Sequence, residues 1–210
     1  MHPFLTRLGI RPEVAECFRP FYSSDDAGNL LFDYGDGQER YGFAFHYIPT
    51  SDNFWMAGNL ELPQVRQVIL CASALDAISW LNKKSASFSG MDNLFFLSLG
   101  AAVRQSHLRW INNNLIGKSC TLVFGNDLLG RIADVKVAAA ITRQPLEVYL
   151  NGSGQMTVRF RARTFCFSQD AFSLNAFEKA TSYRFGTCTD KPKYHLTFFD
   201  ELQAEAFNNF

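Results

Sequence analysis

Two carboxylates in this chain stand a few residues past the ends of apolar runs: Asp76 after residues 68–71, and Asp127 after residues 120–124. Carboxylates gathered at neighbouring strand ends hold a divalent cation such as Mg²⁺. That ion takes oxygen ligands in near-octahedral geometry and neutralises charge in phosphoryl transfer. Between the two runs, Gly100 follows a third apolar run that ends Leu97-Ser98-Leu99. A glycine turn opening into a helix exposes backbone N–H groups that receive a phosphate. A basic set follows: Arg159, Arg161 and Arg163 at alternate positions, then Lys191 and Lys193. These residue types point to phosphate, metal and nucleic-acid chemistry.

Each also has a purely structural reading. Asp127 stands where a helix N-cap is expected, and that role competes with metal binding. Asp76 suits the first turn of its helix through the dipole. Gly100 fits a tight turn without any ligand, and His107 on an apolar helical face reads as a satisfied, half-buried histidine. Arginines alternating along a strand read equally as its solvated face.

The elements that position these groups alternate. Strands are expected near 67–71, 94–98, 119–124 and 146–150, with helices near 73–83, 103–114 and 127–142. Continuous Val/Ile/Leu-rich strands alternating with helices predict an α/β fold, a parallel sheet flanked by helices. Its strand C-terminal ends then share one edge, where such sheets carry their chemistry. Residues 1–66 read as an α+β extension, with a helix at 11–18 and strands at 30–34, 40–47 and near 54–56. Residues 151–210 read as a strand-helix extension, with one alternating strand over 155–168 and a helix capped by Ser173. The expected units are therefore 1–66, 67–150 and 151–210.

Composition narrows the class. Hydrophobic residues make up 47% of 210, enough to bury a sizeable core. No apolar run reaches the length of a bilayer span and no signal-peptide layout opens the chain, so a cytoplasmic protein without a membrane partner is expected. Five scattered cysteines form no C-x-x-C pair, which argues against a disulfide framework or a zinc ribbon. Formal net charge is zero, so any nucleic-acid footprint must be local. Residues 155–195 carry seven Lys and Arg against three Asp and Glu, interleaved with aromatics that suit either a core or base stacking. Phosphate loops of the G-x-x-x-x-G-K-[ST] kind, H-E-x-x-H and G-x-S-x-G are absent from the sequence.

The three strand-turn-helix blocks, in this order, resemble the Toprim domain of primases and topoisomerases over roughly residues 66–150. Ala72 stands in the slot of the first-strand glutamate, and Asp76 in that of the aspartate four residues later. Leu99-Gly100-Ala101 with His107 matches the second block. Gly125-Asn126-Asp127 followed by Gly130 stands where the family has an aspartate-x-aspartate pair and a glycine. The words at residues 2–5 and 10–15 look like the region preceding Toprim in primase-like proteins of bacterial mobile elements. The resemblance implies a Toprim-like, Rossmann-like sheet and, in active members, Mg²⁺ held by carboxylates.

Ala72 and Gly125 bring no side-chain oxygen, so the resemblance implies a vestigial catalytic site of Ala72, Asp76, Gly125 and Asp127. Asp127 remains a weak metal ligand, and no cofactor is expected with Mg²⁺ the one candidate. The leading expectation is a catalytically degenerate primase-like protein that binds nucleic acid or a replication or mobilisation partner. One alternative is a Mg²⁺-dependent primase or nuclease with a site rebuilt from Asp76, Asp127 and an incoming Glu61 or Asp92. Another is a protein-interaction scaffold.

Overall fold

The computed structural model describes residues 1–85 and 91–208. Two short helices, α1 (Pro3–Arg7) and α2 (Pro12–Phe18), open the chain, each with proline in its first turn, where a missing N–H is harmless. Four strands follow, β1 (Ser23–Ser24), β2 (Leu30–Asp33), β3 (Gln38–Tyr41) and β4 (His46–Tyr47), forming an antiparallel sheet in sequence order. The single strand expected over 40–47 is thus two strands, folded back where the Gly42 N–H bonds the Phe45 carbonyl.

The expected βα blocks are present. They are β5 (Trp55–Gly58), β6 (Gln67–Cys71), α3 (Ala74–Lys84), β7 (Leu94–Ser98), α4 (Gln105–Asn114), β8 (Ser119–Val123) and α5 (Leu128–Ile141). Short-range caps start two of the helices. Ser73 Oγ accepts the Asp76 N–H at 3.0 Å, and Asp127 Oδ1 accepts the Gly130 N–H at 2.8 Å. Later come β9 (Leu146–Leu150), β10 (Met156–Phe160), β11 (Arg163–Phe167), α6 (Leu174–Thr181) capped by Ser173, β12 (Cys188–Thr189) and α7 (Phe198–Asn208).

The protein is therefore mixed α/β, and its main sheet is mixed, in the order β12-β8-β6-β7-β5. β6 lies between β7 and β8 and parallel to both, β12 is parallel to β8, and β5 runs antiparallel to β7. Strands thus join this sheet from before residue 67 and after residue 150.

Side chains alternate across the sheet with period two. Ile69, Cys71, Phe96 and Val123 face a core shared with α1, α2, α3, α7 and β2. Val68, Leu70, Phe95, Leu97 and Leu122 face a second core shared with α4, α5, β10 and α6. Among the described residues no helix is long and apolar enough to cross a membrane.

Two expectations fail here. The strand at 146–150 leaves the parallel sheet and pairs antiparallel with β10 in a three-stranded sheet, β11-β10-β9. Leu146-Glu147-Val148-Tyr149 alternates half-buried and exposed, the pattern of a strand with one open face, whereas the parallel strands β6 and β7 are buried almost throughout. The alternating segment 155–168 is a hairpin rather than one strand. Arg161 and Ala162, at φ +49° and +60°, form its two-residue turn, the double left-handed geometry that matches strand twist.

Candidate functional site

The C-terminal ends of β6, β7 and β8 share one edge, as parallel pairing requires. Beside Ala72 at the end of β6, a carboxylate arrives from elsewhere in the chain: Glu39 of β3. Its Oε2 accepts the Ala74 N–H at 2.7 Å and the Tyr34 hydroxyl at 2.9 Å. Its Oε1 accepts the Leu75 N–H at 3.3 Å and pairs with His46 Nε2 at 2.9 Å. Tyr34 also meets Ser98 Oγ, at the end of β7, at 2.7 Å. Burial holds the Tyr34 hydroxyl protonated far above its usual range, so it stays a donor. Glu39 is 0% exposed, and its two oxygens accept two hydrogen bonds each, which fills their lone-pair positions. It anchors the positive N-terminus of α3 and has no lone pair left for a cation.

Asp76 is equally committed. Its Oδ2 accepts the Ser73 hydroxyl at 2.9 Å, and its Oδ1 accepts the Phe199 N–H, in the first turn of α7, at 3.2 Å. Burial pushes its carboxyl up to about 6. Asp76 therefore joins α7 to α3.

At the end of β8 stands a lysine, paired with a buried carboxylate. Lys191 donates to the Phe124 and Gly125 carbonyls at 2.5 and 3.2 Å and pairs with Asp134 at 2.8 Å. Asn126 donates its side-chain amide to the Pro192 and His195 carbonyls, and its backbone N–H to the Leu196 carbonyl. Residues 190–197 thus strap the end of the strand. Burial pushes the Asp134 carboxyl up to about 7 and Lys191 down, each opposed by the other's charge. Lys191 is therefore an internal cation, correcting its expected nucleic-acid role. Lys193 remains exposed beside the Tyr194 ring.

Asp127 caps α5, as its position implied. The expected phosphate turn at Gly100 does not form: α4 begins only at Gln105, and Gly100 (φ +75°) is packed so that an added Cβ would lie 2.5 Å from the Pro49 carbonyl. His107 is buried, its Nδ1 accepting the Arg104 N–H at 3.2 Å and its Nε2 facing the Asn53 carbonyl at 3.0 Å. Burial lowers its pKa, which favours the neutral ring. Glu61 and Asp92 precede β6 and β7, at the opposite edge from Asp76 and Asp127, so they do not complete a rebuilt site. Among the described residues no three His, Cys, Asp or Glu side chains converge as a metal set.

The three arginines separate across the hairpin. Arg159 pairs with Glu147 at 3.5 Å, and Arg161 donates to Gln144 at 2.9 Å and lies over the Tyr183 ring. Arg163 makes no side-chain contact of this kind among the described residues. Most of the nearby aromatics are core: Phe172 and Phe185 are buried, and Phe165 and Phe167 pack on Phe177.

Gln144 and Glu147 belong to a groove of about 610 Å³ between α4, α5 and β9. Its lining holds Arg109, Lys136 and Arg143 against the single acid Glu147. The Arg109 and Lys136 side chains make no ion pair or hydrogen bond among the described residues. Arg143 stands just past α5 at φ +55°, a conformation where glycine is favoured, and its Nε reaches the Asn112 carbonyl at 3.5 Å.

Sequence reasoning missed this groove because its cations come from different elements. A signal was present: residues 101–165 carry nine Lys and Arg against three Asp and Glu in a chain of zero net charge. Asp127 is used as a cap and Asp134 by Lys191, which leaves Glu147 alone.

No family model, no curated protein and no solved structure matches this chain.

Proposed function

We propose that this chain is a Toprim-like binding protein without metal-dependent catalysis, and that its α4–α5–β9 groove holds an anionic macromolecule, a nucleic acid or an acidic replication or mobilisation partner. The observation that carries this reading is the groove itself: three cations, two of them without a partner among the described residues, face one carboxylate. In a chain of zero formal net charge, that asymmetry gives a local positive potential. The strand ends support the non-catalytic half. Of the carboxylates there, Glu39 and Asp76 are taken up by backbone and side-chain donors, Asp127 caps α5, and a lysine occupies the end of β8. Five free thiols fit a reducing cytoplasm.

Two titrations test the reading. Calorimetry with Mg²⁺ and Mn²⁺ is expected to show no tight site, and an Asp127-dependent one would refute the non-catalytic half. Binding to a labelled oligothymidylate and to polyglutamate, measured from about 20 to 200 mM salt, is expected to weaken steeply as salt rises. Neutralising Arg109 and Lys136 to Gln is expected to flatten that dependence. Absence of binding to both polyanions at low salt would remove the groove reading.

A further inference from the structure

Resting on the groove reading, we infer that its occupant is an extended acidic peptide that adds to the free edge of β9 as a fourth strand. The phase of the strand pairing carries the inference. The Asn151 N–H bonds the Gln155 carbonyl, so the hydrogen-bonded pairs of the β9–β10 ladder are 151–155, 149–157 and 147–159. The tight turn at 161–162 gives the same phase from the other side, because it directs the backbone of 156, 158 and 160 to β11. The N–H and C=O groups of Leu146, Val148 and Leu150 therefore point away from β10. β9 is the outermost strand of its sheet, so among the described residues these groups have no ladder partner. They repeat about every 7 Å, the spacing of a partner strand.

The groove runs along this edge, since residues 144–148 all line it. Its floor is apolar: Ala139, Ala140, Leu108, and the half-buried Leu146 and Val148. A strand added here would set alternate side chains on that floor and the others toward Arg109, Lys136 and Arg143. That is the pattern of strand addition, in which main-chain bonds give affinity and alternate side chains give specificity. Charge complementarity makes the partner acidic. The outward carbonyls and the apolar floor suit a peptide main chain and oppose a phosphodiester. Natural sheets protect such edges with charged side chains or prolines, and β9 carries neither lysine nor proline and one charge, Glu147, which is paired with Arg159.

The test uses the full chain and a blocked peptide of alternating Glu and Val, with an alternating Lys and Val peptide and an oligothymidylate as comparisons. The acidic peptide is expected to bind, to slow hydrogen exchange at the Val148 and Leu150 amides, and to lose affinity about tenfold on Arg109→Gln with Lys136→Gln. Val148→Pro removes an N–H that points into the groove and no ladder bond, so it is expected to fold and to abolish peptide binding. Should that variant fail to fold, exchange at Val148 in the parent chain decides. Peptide binding without amide protection, undiminished binding by folded Val148→Pro, or no peptide binding at millimolar concentration overturns the inference. Self-association that protects the same amides overturns it in favour of a second copy. Oligothymidylate binding through the same cations, with β9 still exchanging, overturns it while the anionic-partner reading stands. Failure of every anionic probe overturns both.

Discussion

The Lys191 ammonium lies 2.8 Å from the Asp134 carboxylate, with side-chain exposures of 18% and 3%. One carboxylate oxygen, Asp134 Oδ1, is buried without a hydrogen bond, so the pair rests on a single strong contact. Removing Lys191 alone leaves a buried, unpaired carboxylate, whereas removing both partners leaves no buried charge and only the Phe124 and Gly125 carbonyls without their donor. Lys191→Met is therefore expected to cost about 3 kcal/mol in chemical denaturation. The double variant with Asp134→Leu is expected to recover part of that loss, the remainder belonging to the two carbonyls that Lys191 served. Equal losses in the single and double variants would count against the pairing.

Stability should also carry a pH signature from Asp76. Its carboxyl ionises near 6 in the folded protein against an ordinary value of 3.8, because burial opposes the charge. Between those values the folded state holds the extra proton, so its contribution is complete below about pH 4 and is lost as pH rises through about 6. Asp76→Asn keeps an oxygen for the Phe199 N–H and does not titrate. Relative to the parent, the variant is expected to gain stability across that window, reaching roughly 1–3 kcal/mol at pH 8. Urea denaturation at several pH values reads the difference, and a pH-independent difference would contradict the assignment.

Asp127 separates capping from metal binding through two substitutions. Asparagine caps helices about as well as aspartate, and alanine does not. Asp127→Ala is expected to lose about 1 kcal/mol, while Asp127→Asn keeps parental stability and parental binding of anionic probes. A large effect of the asparagine variant, on binding or on stability in Mg²⁺, would return this residue to a ligand role.

Arg143 sets stability against binding. Its left-handed backbone costs an arginine more than a glycine, and its guanidinium is exposed over the groove. Arg143→Gly is expected to raise stability by about 0.5–1 kcal/mol while weakening the anionic partner severalfold. Thermal unfolding and a binding isotherm on the same sample check both signs. A variant that loses stability and keeps full affinity would remove Arg143 from the site.

What could be read in advance followed the range of the forces involved. The three βα blocks were legible because doubly covered parallel strands are continuous apolar runs, and because Asp127 caps the helix beside it in sequence, as Ser173 does for α6. The turn at Arg161–Ala162 was hidden because it uses left-handed residues that are neither glycine nor asparagine. Glu39 and Lys191 were illegible for another reason. Each acts 35 or more residues from its own position, on the Ala74 N–H and the Phe124 carbonyl, and nothing in its neighbours marks it as buried. The groove cations lie on α4, on α5 and in the link just past it, and the approach of these to β9 is a tertiary fact.

The strap over residues 190–197 and the helix that follows it bear on the order of assembly. β12 is an outer strand of the main sheet, and α7 supplies Phe198, Phe199 and Leu202 to the core that covers α3. Until those residues have been synthesised, the α3 side of the nascent sheet lacks part of its cover, with Asp76 short of its Phe199 contact. Completion must await contacts spanning more than a hundred residues, which is slow. During that interval the unfinished chain exposes apolar surface that favours aggregation.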